Sequence, residues 1–581
     1  MNSHFDVVIL GAGLAGLSLA RQLTLTSEKR ILLLEKRSEI PPAKQKVGEA
    51  TVQLSGYYFS KVLDLEDHLL QEHLMKYNLR FYWKTSKNPD CYENYSQSYI
   101  RDLSNIASYQ LDRNKIEGEL LRRNKQSPLF TFMMGVSDLA VLLADDDEHT
   151  VTFRMGDNAH KVRATWVIDA TGRSRVLARN LELIKPNRIR HGASFFWVDG
   201  LVNIEKLSGL TPKASRLNRQ RQMTGHLPVW LATNHFFGEG YWFWVIPLHG
   251  KTSLGLVYDR EKVPAELVSS PSKTIEWVCR EFPLFGRDLK SRTILDQGMF
   301  RDYSYDCRQT ISDSRWALTG EAGRFTDPLY SPGGDLISLH NTLITDCILT
   351  DEPHQLSTKA RVYEVLMRAL YEAYVPSYEI SYDALGDQEC FVMKYAWELA
   401  VYFTFFVFPF INDLFTDLTF ATSFLREFAK LGDINRGLQR FITEYYRWKK
   451  SRFELPAEPH FVDFTDLALL QSAEKLFYAV GLSSAEATAV LSQEAYKLTE
   501  FARFIAAHIF SSVSGNRDLL TNRSFLDSLD LHQLAFDSEV IGSYASYPED
   551  EDPVHPRGFD TEKLLRLRGE PKQQAATCAA D

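Results

Sequence analysis

Three glycines, two acids and a lysine carry the first chemical signals in this chain. Gly11, Gly13 and Gly16 stand as G-x-G-x-x-G within residues 5–23, FDVVILGAGLAGLSLARQL. Gly11 permits a tight turn, Gly13 lets the backbone approach a pyrophosphate, and Gly16 lets a helix pack closely on its strand. A second apolar run, residues 31–34, ends in Glu35, about where a carboxylate would hold a ribose hydroxyl. This set predicts a dinucleotide held by Gly11, Ala12, Gly13, Ala15, Gly16, Glu35 and Lys36, its phosphates at the helix N-terminus. Glu49 and Ala50 lie in the segment 47–51, VGEAT, where Glu49 reads either as an acid beside the cofactor or as a helix cap. Lys76 precedes an alternating stretch, and taken alone it reads as a solvated surface charge. Arg113 reads as a contact to cofactor phosphate or ribose, or as a structural ion pair, and Arg173 as structural. His191, His226, His235 and His249 have no metal-ligand spacing, so they read as ordinary side chains and no metal site is expected.

The elements that must position these groups follow from pattern. Residues 7–10 suit a buried parallel strand, and Leu14, Leu17, Ala20 and Leu23 follow at helical spacing. Residues 73–83, HLMKYNLRFYW, end in a strand, and residues 109–122 run from a strand end into a helix. Residues 130–143 and 149–164 read as two strands of a meander, joined by a solvated acidic tip at Asp145, Asp146, Asp147 and Glu148. Residues 166–172, WVIDATG, are a buried strand and a turn containing Asp169 and Gly172. Residues 185–305 are rich in short strands and aromatics, and read as an antiparallel sheet inserted between two halves of a dinucleotide fold. Residues 316–320, WALTG, are another buried strand, leading to Gly320, Glu321, Asp327 and Pro328 and then to the tight loop 329–335, LYSPGGD.

From about residue 355 the pattern is helical. Residues 396–412, AWELAVYFTFFVFPFIN, read as a buried helix kinked or ended at Pro409, or as the wall of an apolar pocket; the uninterrupted apolar run is short for a bilayer. The domains predicted are 1–350, containing the inserted sheet at 185–305, a helical domain at 351–546 and a flexible tail at 547–581.

Composition narrows the class of partner. Of 581 residues, 44% are hydrophobic and 24% charged, ordinary for a soluble globular chain with two or three domains. The formal net charge of −9 offers no basic footprint for nucleic acid. The six cysteines form no C-x-x-C pair, which argues against a zinc site or a disulfide framework and fits a reducing cytoplasm. With a strand starting by Phe5, no signal peptide is expected, and membrane contact is not expected either.

Taken in order, the strand–GxGxxG–helix, Glu35, the D-A-T-G turn at 169–172 and the G-E-A…D-P turn at 320–328 resemble the glutathione-reductase-type FAD fold. This is the branch that contains aromatic monooxygenases, prenyl reductases and flavin-dependent halogenases. The resemblance narrows to the halogenases on three segments. Residues 48–51 resemble their G-E-[AS]-T. Trp242, Trp244, Ile246 and Pro247 match their W-x-W-x-I-P, and Lys76 stands before Phe81 and Trp83 as their catalytic lysine does. These matches span about residues 5–350, and prenyl reductases share a similar aromatic stretch. The fold class implied is α/β (α+β): a glutathione-reductase-type FAD-binding Rossmann fold with an inserted antiparallel substrate sheet and a helical C-terminal region.

The resemblance implies that FAD is held by the residues named above together with Glu49, Ala50, Arg113, Asp169, Gly172, Gly320, Glu321, Asp327 and Pro328. Reduced FAD, supplied by a separate flavin reductase, would react with oxygen to a flavin hydroperoxide that oxidises halide. Ser331, Gly333 and Gly334 would form the halide and flavin loop. Trp242, Trp244, Ile246 and Pro247 would wall the flavin from the substrate. Lys76 would relay hypohalous acid, as a hydrogen-bond donor or as a haloamine, to an electron-rich aromatic that is phenolic or bound to a carrier protein. Three departures mark this chain: Glu321 where the family has Asp, Pro332 where a backbone N–H would face halide, and Tyr330 where tryptophan halogenases have a glutamate. The last points to a phenol- or pyrrole-type enzyme. Two other functions fit the same residues: a halide-independent flavin monooxygenase, desaturase or reductase on an apolar substrate, and a non-catalytic FAD-binding scaffold.

Overall fold

The structure is a computed structural model that describes residues 3–101, 104–144, 148–464, 467–550, 553–554 and 558–572. In chain order the elements used below are β1 (Ser3–Leu10), α1 (Leu14–Thr26), β2 (Ile31–Glu35), β3 (Leu74–Lys76), β4 (Leu79–Trp83), β5 (Ser96–Tyr99), β6 (Ser108–Gln110), α2 (Arg113–Asn124), β7 (Phe130–Met134), β8 (Asn158–Asp169) and β9 (His191–Asp199). They continue as β10 (Thr233–Gly238), β11 (Tyr241–Leu248), β12 (Lys251–Asp259), β13 (Ile294–Phe300), β14 (Trp316–Leu318), α3 (Pro332–Ile348), α4 (Pro353–Glu379), α5 (Gln388–Tyr402), α6 (Leu418–Arg452) and α7 (Ser484–Ser514).

The N-terminal strand forms because Val7, Val8, Ile9 and Leu10 are buried on both faces, between β2 and β8, to which β1 is parallel. The sheet runs Ile311–Ser312, β14, β8, β1, β2, β7. Gly16 seats α1 on this sheet: a Cβ there would lie 2.1 Å from the Gly11 carbonyl oxygen. Two details differ from the pattern-based reading. Residues 130–143 form two strands, because Gly135 with φ +72° breaks the run. Residues 149–164 are likewise two strands, His149–Met155 and the start of β8, paired antiparallel across a turn at Gly156, and β8 runs on without a break into the buried strand before D-A-T-G. Asp145, Asp146 and Asp147 of the expected acidic tip lie outside the described residues.

The second sheet runs β13, β9, β12, β11, β10, β4, β5 and then Phe461–Asp463. Its members from 191 to 300 are antiparallel, but the sheet extends beyond the expected insertion. β10 pairs with β4 in parallel, placing Phe81 opposite His235, and Phe461–Asp463 pairs with β5 in parallel. Strand β4 therefore carries the segment after Lys76 into the same surface as Trp242 and Trp244.

Helices α4 to α7 pack over the open side. α5 continues through a π-turn, Phe403–Val407, and ends at Ile411 two residues beyond Pro409. The resulting helix, Gln388–Ile411, is long and apolar enough to cross a membrane, yet 83% of its most apolar window is buried within the protein. Its length exceeds what the apolar run alone suggested because Thr404 and Pro409 are carried inside it. Part of the tail expected to be flexible also folds back. Residues Thr561–Leu565 are helical, Leu564 and Leu567 are buried, and the Lys572 N–H donates to the Arg452 carbonyl.

Candidate active site

Two cavities meet at the loop that precedes α3. The first, about 760 Å³, runs from the glycine loop to the two tryptophans of β11. Gly11 adopts φ +103°, and a Cβ there would lie 2.5 Å from the Ala170 carbonyl, so only glycine makes this turn without strain. Gly13 has open space where a Cβ would stand, leaving the N-terminus of α1 bare towards the cavity. Glu35 is buried and accepts from the Ala12 N–H at 2.8 Å and from Arg37. Burial would raise its carboxyl, but these hydrogen bonds outweigh it and hold the group below its ordinary range. Lys36, Ala15, Ala50, Gly172, Gly320, Glu321 and Pro328 line the same cavity. Burial raises the Glu321 carboxyl, against Arg113 and Arg173. Arg113 donates to the Val47 carbonyl at 2.7 Å and to Glu117 at 2.7 Å, while its Nε is buried without a partner. Trp242, also on the cavity, turns its buried indole Nε1 towards Tyr382. A glycine cradle, an acid at the end of β2 and the orphaned Arg113 Nε fit FAD.

Five expected contacts are placed elsewhere, the first of them Ala12, whose N–H is taken up by Glu35. Asp169 does not line the cavity; its carboxylate accepts from the Thr171 N–H and hydroxyl and from the Leu177 N–H, holding the D-A-T-G turn together. Asp327 accepts from Tyr303 at 2.7 Å and from the Leu329 N–H, and pairs with His191 Nδ1 at 2.7 Å. Both acids build backbone turns that present their neighbours to the cavity. Gly16 acts through packing, and Pro247 is paired with Thr252 off the cavity, whereas Trp242, Trp244 and Ile246 line it. Arg173 lies on the cavity over the Phe300 ring, 4.3 Å from its centroid, with its Nε donating to Tyr305.

The tryptophan wall is held from behind by a buried acid. Glu49 is fixed by the Leu111 N–H, which donates to its carbonyl at 2.6 Å, and its carboxyl accepts from Trp197 Nε1 at 2.7 Å. Trp244 Nε1 donates to Ser253 at 3.2 Å, and its ring lies 5.8 Å from that of Trp242. Burial lifts the Glu49 carboxyl from 4.5 to about 8, over the opposing bonds to Ser253 and Trp197. From about pH 4.5 to 8 the unfolded chain has released a proton that the folded chain keeps. Stability therefore falls as pH rises, by about 1.4 kcal/mol per pH unit. Glu49→Gln should remove that slope: the gap in melting temperature between pH 5 and pH 8 should shrink in the variant, and an unchanged gap would refute a neutral Glu49.

The second cavity, about 840 Å³, lies between the second sheet and the C-terminal helices. Lys76 lines it from the end of β3, where it pairs with Ser108. Its side chain is only 4% exposed and its Nζ has no hydrogen-bond partner among the described residues. Burial lowers its ammonium to about 7, against the opposing charge of Asp335. Lys76 is therefore not the solvated surface charge that its local sequence suggests. Asp335, in the first turn of α3, is buried; its Oδ1 accepts from the Ser55 N–H at 2.9 Å, and the Tyr402 hydroxyl also bonds the carboxylate. Burial raises this carboxyl to about 6, against its bonds to Ser55 and Tyr402 and the charge of Lys76.

Tyr330 and Ser331 separate the two cavities, Tyr330 facing the second and Ser331, Gly333 and Gly334 the first. Both residues have positive φ, +67° and +61°, a strain of about 1–3 kcal/mol each that marks functional loops. Pro332 occupies the first helical position of α3, and the N–H groups of Gly333 and Gly334 follow in the first turn, which has no earlier carbonyls to bond. Beneath Tyr330 a second buried lysine, Lys394, pairs with Glu398 at 2.6 Å and lies 5.5 Å from the Tyr330 ring centroid. Asp335, Lys394, Glu398 and Tyr402 were not picked out from the sequence. Asp335 stands in the loop 329–335, directly after the Gly333–Gly334 pair, and Glu398 and Tyr402 stand in the segment 396–412 read as a buried helix or a pocket wall; Lys394 lies in neither.

Comparison with known proteins agrees with this geometry. Residues 9–62 match the family model of an NAD(P)-binding Rossmann-like domain. The chain is 25% identical over 428 residues to the flavin-dependent halogenase chlA of Dictyostelium discoideum, covering 69% of this chain and 70% of that one. It is also 25% identical over 356 residues to the tetracycline 7-halogenase of Kitasatospora aureofaciens, covering 57% and 60%. Among solved structures, halogenase PltM superposes with a TM-score of 0.58 at 18% identity over 87% of this chain and 97% of its own; a further PltM structure holds phloroglucinol and FAD. At that identity the likeness is one of fold.

Proposed function

We propose that this chain, which belongs to the flavin-dependent halogenase family of FAD-dependent oxidoreductases, halogenates a phenolic aromatic in its second cavity. Reduced flavin would come from a separate reductase. The observation that carries the reading is Lys76: a buried lysine with a bare Nζ that shares its cavity with the buried Asp335 carboxylate and feels its charge, across the Tyr330–Ser331 partition from the cavity that fits FAD. Bound reduced FAD supplies, with oxygen, the two-electron oxidising equivalent that converts halide to hypohalous acid. The first-turn N–H groups of Gly333 and Gly334 hold the halide, since a helix N-terminus favours anions. Pro332 leaves those two donors in place. The tryptophan wall keeps the aromatic away from the flavin.

In the second cavity the Lys76 ammonium donates a hydrogen bond to the oxygen of the acid and makes the halogen electrophilic. The ring attacks the halogen, so the carbon–halogen bond forms as the oxygen–halogen bond breaks. The departing hydroxide takes the Lys76 proton and leaves as water. Asp335 Oδ2 accepts the proton lost from the ring carbon and returns it to Lys76, so both groups are restored.

This scheme needs Asp335 ionised and Lys76 protonated. Halogenation should then peak between about pH 6 and 7, with an acid limb from the carboxyl and a basic limb from the ammonium. The two apparent values belong to the pair. Asp335→Asn should remove the acid limb and lower the rate on the order of 10²- to 10⁴-fold. The check is initial rate against pH for both proteins. A profile that rises steadily through pH 9 would show that the neutral amine is the active form of Lys76.

A further inference from the structure

We propose that His235 is a positioning residue for the transfer step: its Nε2 accepts the O–H of hypohalous acid on the flavin side and turns the halogen towards Lys76. The inference rests on the halogenation reading above.

His235 sits mid-strand in β10 and is 2% exposed. Its Nδ1 lies 3.2 Å from the Arg80 carbonyl, and a carbonyl only accepts, so Nδ1 carries the hydrogen and Nε2 the lone pair. Burial, aided by the charge of Lys76 and opposed by bonds to the Arg80 and Thr233 backbones, holds the imidazole down to about 3. The ring is thus neutral at any working pH, and Nε2 remains an acceptor. His235 lines the flavin-side cavity. Opposite it across the parallel β10–β4 pair stands Phe81, with ring centroids 5.2 Å apart. Phe81 in turn meets Tyr395 at 4.9 Å and Tyr330 at 6.3 Å, and both of those rings face the second cavity.

The imidazole is therefore a fixed acceptor on an otherwise aromatic partition, between the cavity that fits FAD and the lysine that uses the acid. Its other aromatic neighbours, Phe237 at 6.2 Å and Trp242 at 5.3 Å, offer no acceptor, and its second backbone partner, Thr233, is two residues back on the same strand. A small acid with one O–H and one halogen would be held by its hydrogen, with the halogen end left to face Lys76.

The test is the fate of the oxidant in His235→Phe and His235→Gln. With reduced FAD, oxygen, bromide, a phenol and excess free methionine as a scavenger, the ratio of bromophenol to methionine sulfoxide is measured per flavin oxidised, with FAD content and melting temperature alongside. His235→Phe should lower that ratio at least tenfold as oxidant escapes to the scavenger, and His235→Gln, which places an amide oxygen near the Nε2 position, should recover much of it. A wild-type ratio in His235→Phe would overturn the role of His235 alone. So would a loss in both variants that tracks reduced FAD content. Failure of the wild-type protein to brominate any phenol would overturn the underlying reading, and this inference with it.

Discussion

Lys76→Met should lower aromatic halogenation on the order of 10²- to 10⁴-fold while oxidation of reduced FAD by oxygen continues. The two outcomes separate because Lys76 lines the second cavity and not the one that fits FAD. The same substitution should stabilise the protein. Between about pH 7 and 10.5 the unfolded chain keeps a proton that the folded chain has released, so stability falls as pH is lowered through that window, by about 1.4 kcal/mol per unit, and the full penalty remains below it. Removing the charge removes the penalty. A higher melting temperature at pH 7 together with lost halogenation is the expected signature of a group held buried for chemistry. A lower melting temperature would show instead that Lys76 supports the fold.

Glu389→Ala should destabilise the protein by about 3–5 kcal/mol, read as a lower urea midpoint. Glu389, fully buried on α5, is held by Lys449 of α6 at 2.8 Å, His508 of α7 at 2.8 Å and the Tyr445 hydroxyl at 3.0 Å. Burial alone would raise its carboxyl, but Lys449 and His508 overcome this and hold it far below the ordinary range. Its contribution is present above about pH 4.5 and is lost as pH falls below that value. Truncating it leaves the Lys449 ammonium, 3% exposed, with only Asp387 to balance its charge and the Leu567 carbonyl at 3.4 Å as a further acceptor. Because α5 also supplies Tyr395, Glu398 and Tyr402 to the second cavity, the variant should lose halogenation at urea concentrations where FAD is still bound. Coincident loss of both would mean that the helical region and the FAD-binding sheet unfold as one unit.

The parts of this protein that were legible in sequence are those whose chemistry is local. The glycine loop and Glu35 each sit within one turn or at one strand end, so spacing carries them, and the tryptophan pair sits within one strand, short enough for a family resemblance to carry it. Asp169 and Asp327 stand in the expected turns, yet nothing in a linear motif separates an acid that touches a ligand from one that ties the turn to itself. Glu49 was noticed, but its partner Trp197 lies 148 residues away, so neither its neutral state nor its support of the wall could be read. The second cavity was the least legible. It is assembled from β3, the first turn of α3 and helices α4, α5 and α6, whose lining residues share no spacing. His235 looked ordinary because its meaning depends on the parallel pairing of β10 with β4, a contact that no local pattern announces.

The most direct test is a single turnover. The protein is mixed with one equivalent of pre-reduced FAD in oxygenated buffer containing bromide and a phenol, and the products are weighed by mass spectrometry. The account predicts one bromine added to the ring, in an amount approaching the flavin supplied, and none when bromide is left out. A hydroxylated or dehydrogenated product formed equally well without halide would contradict it.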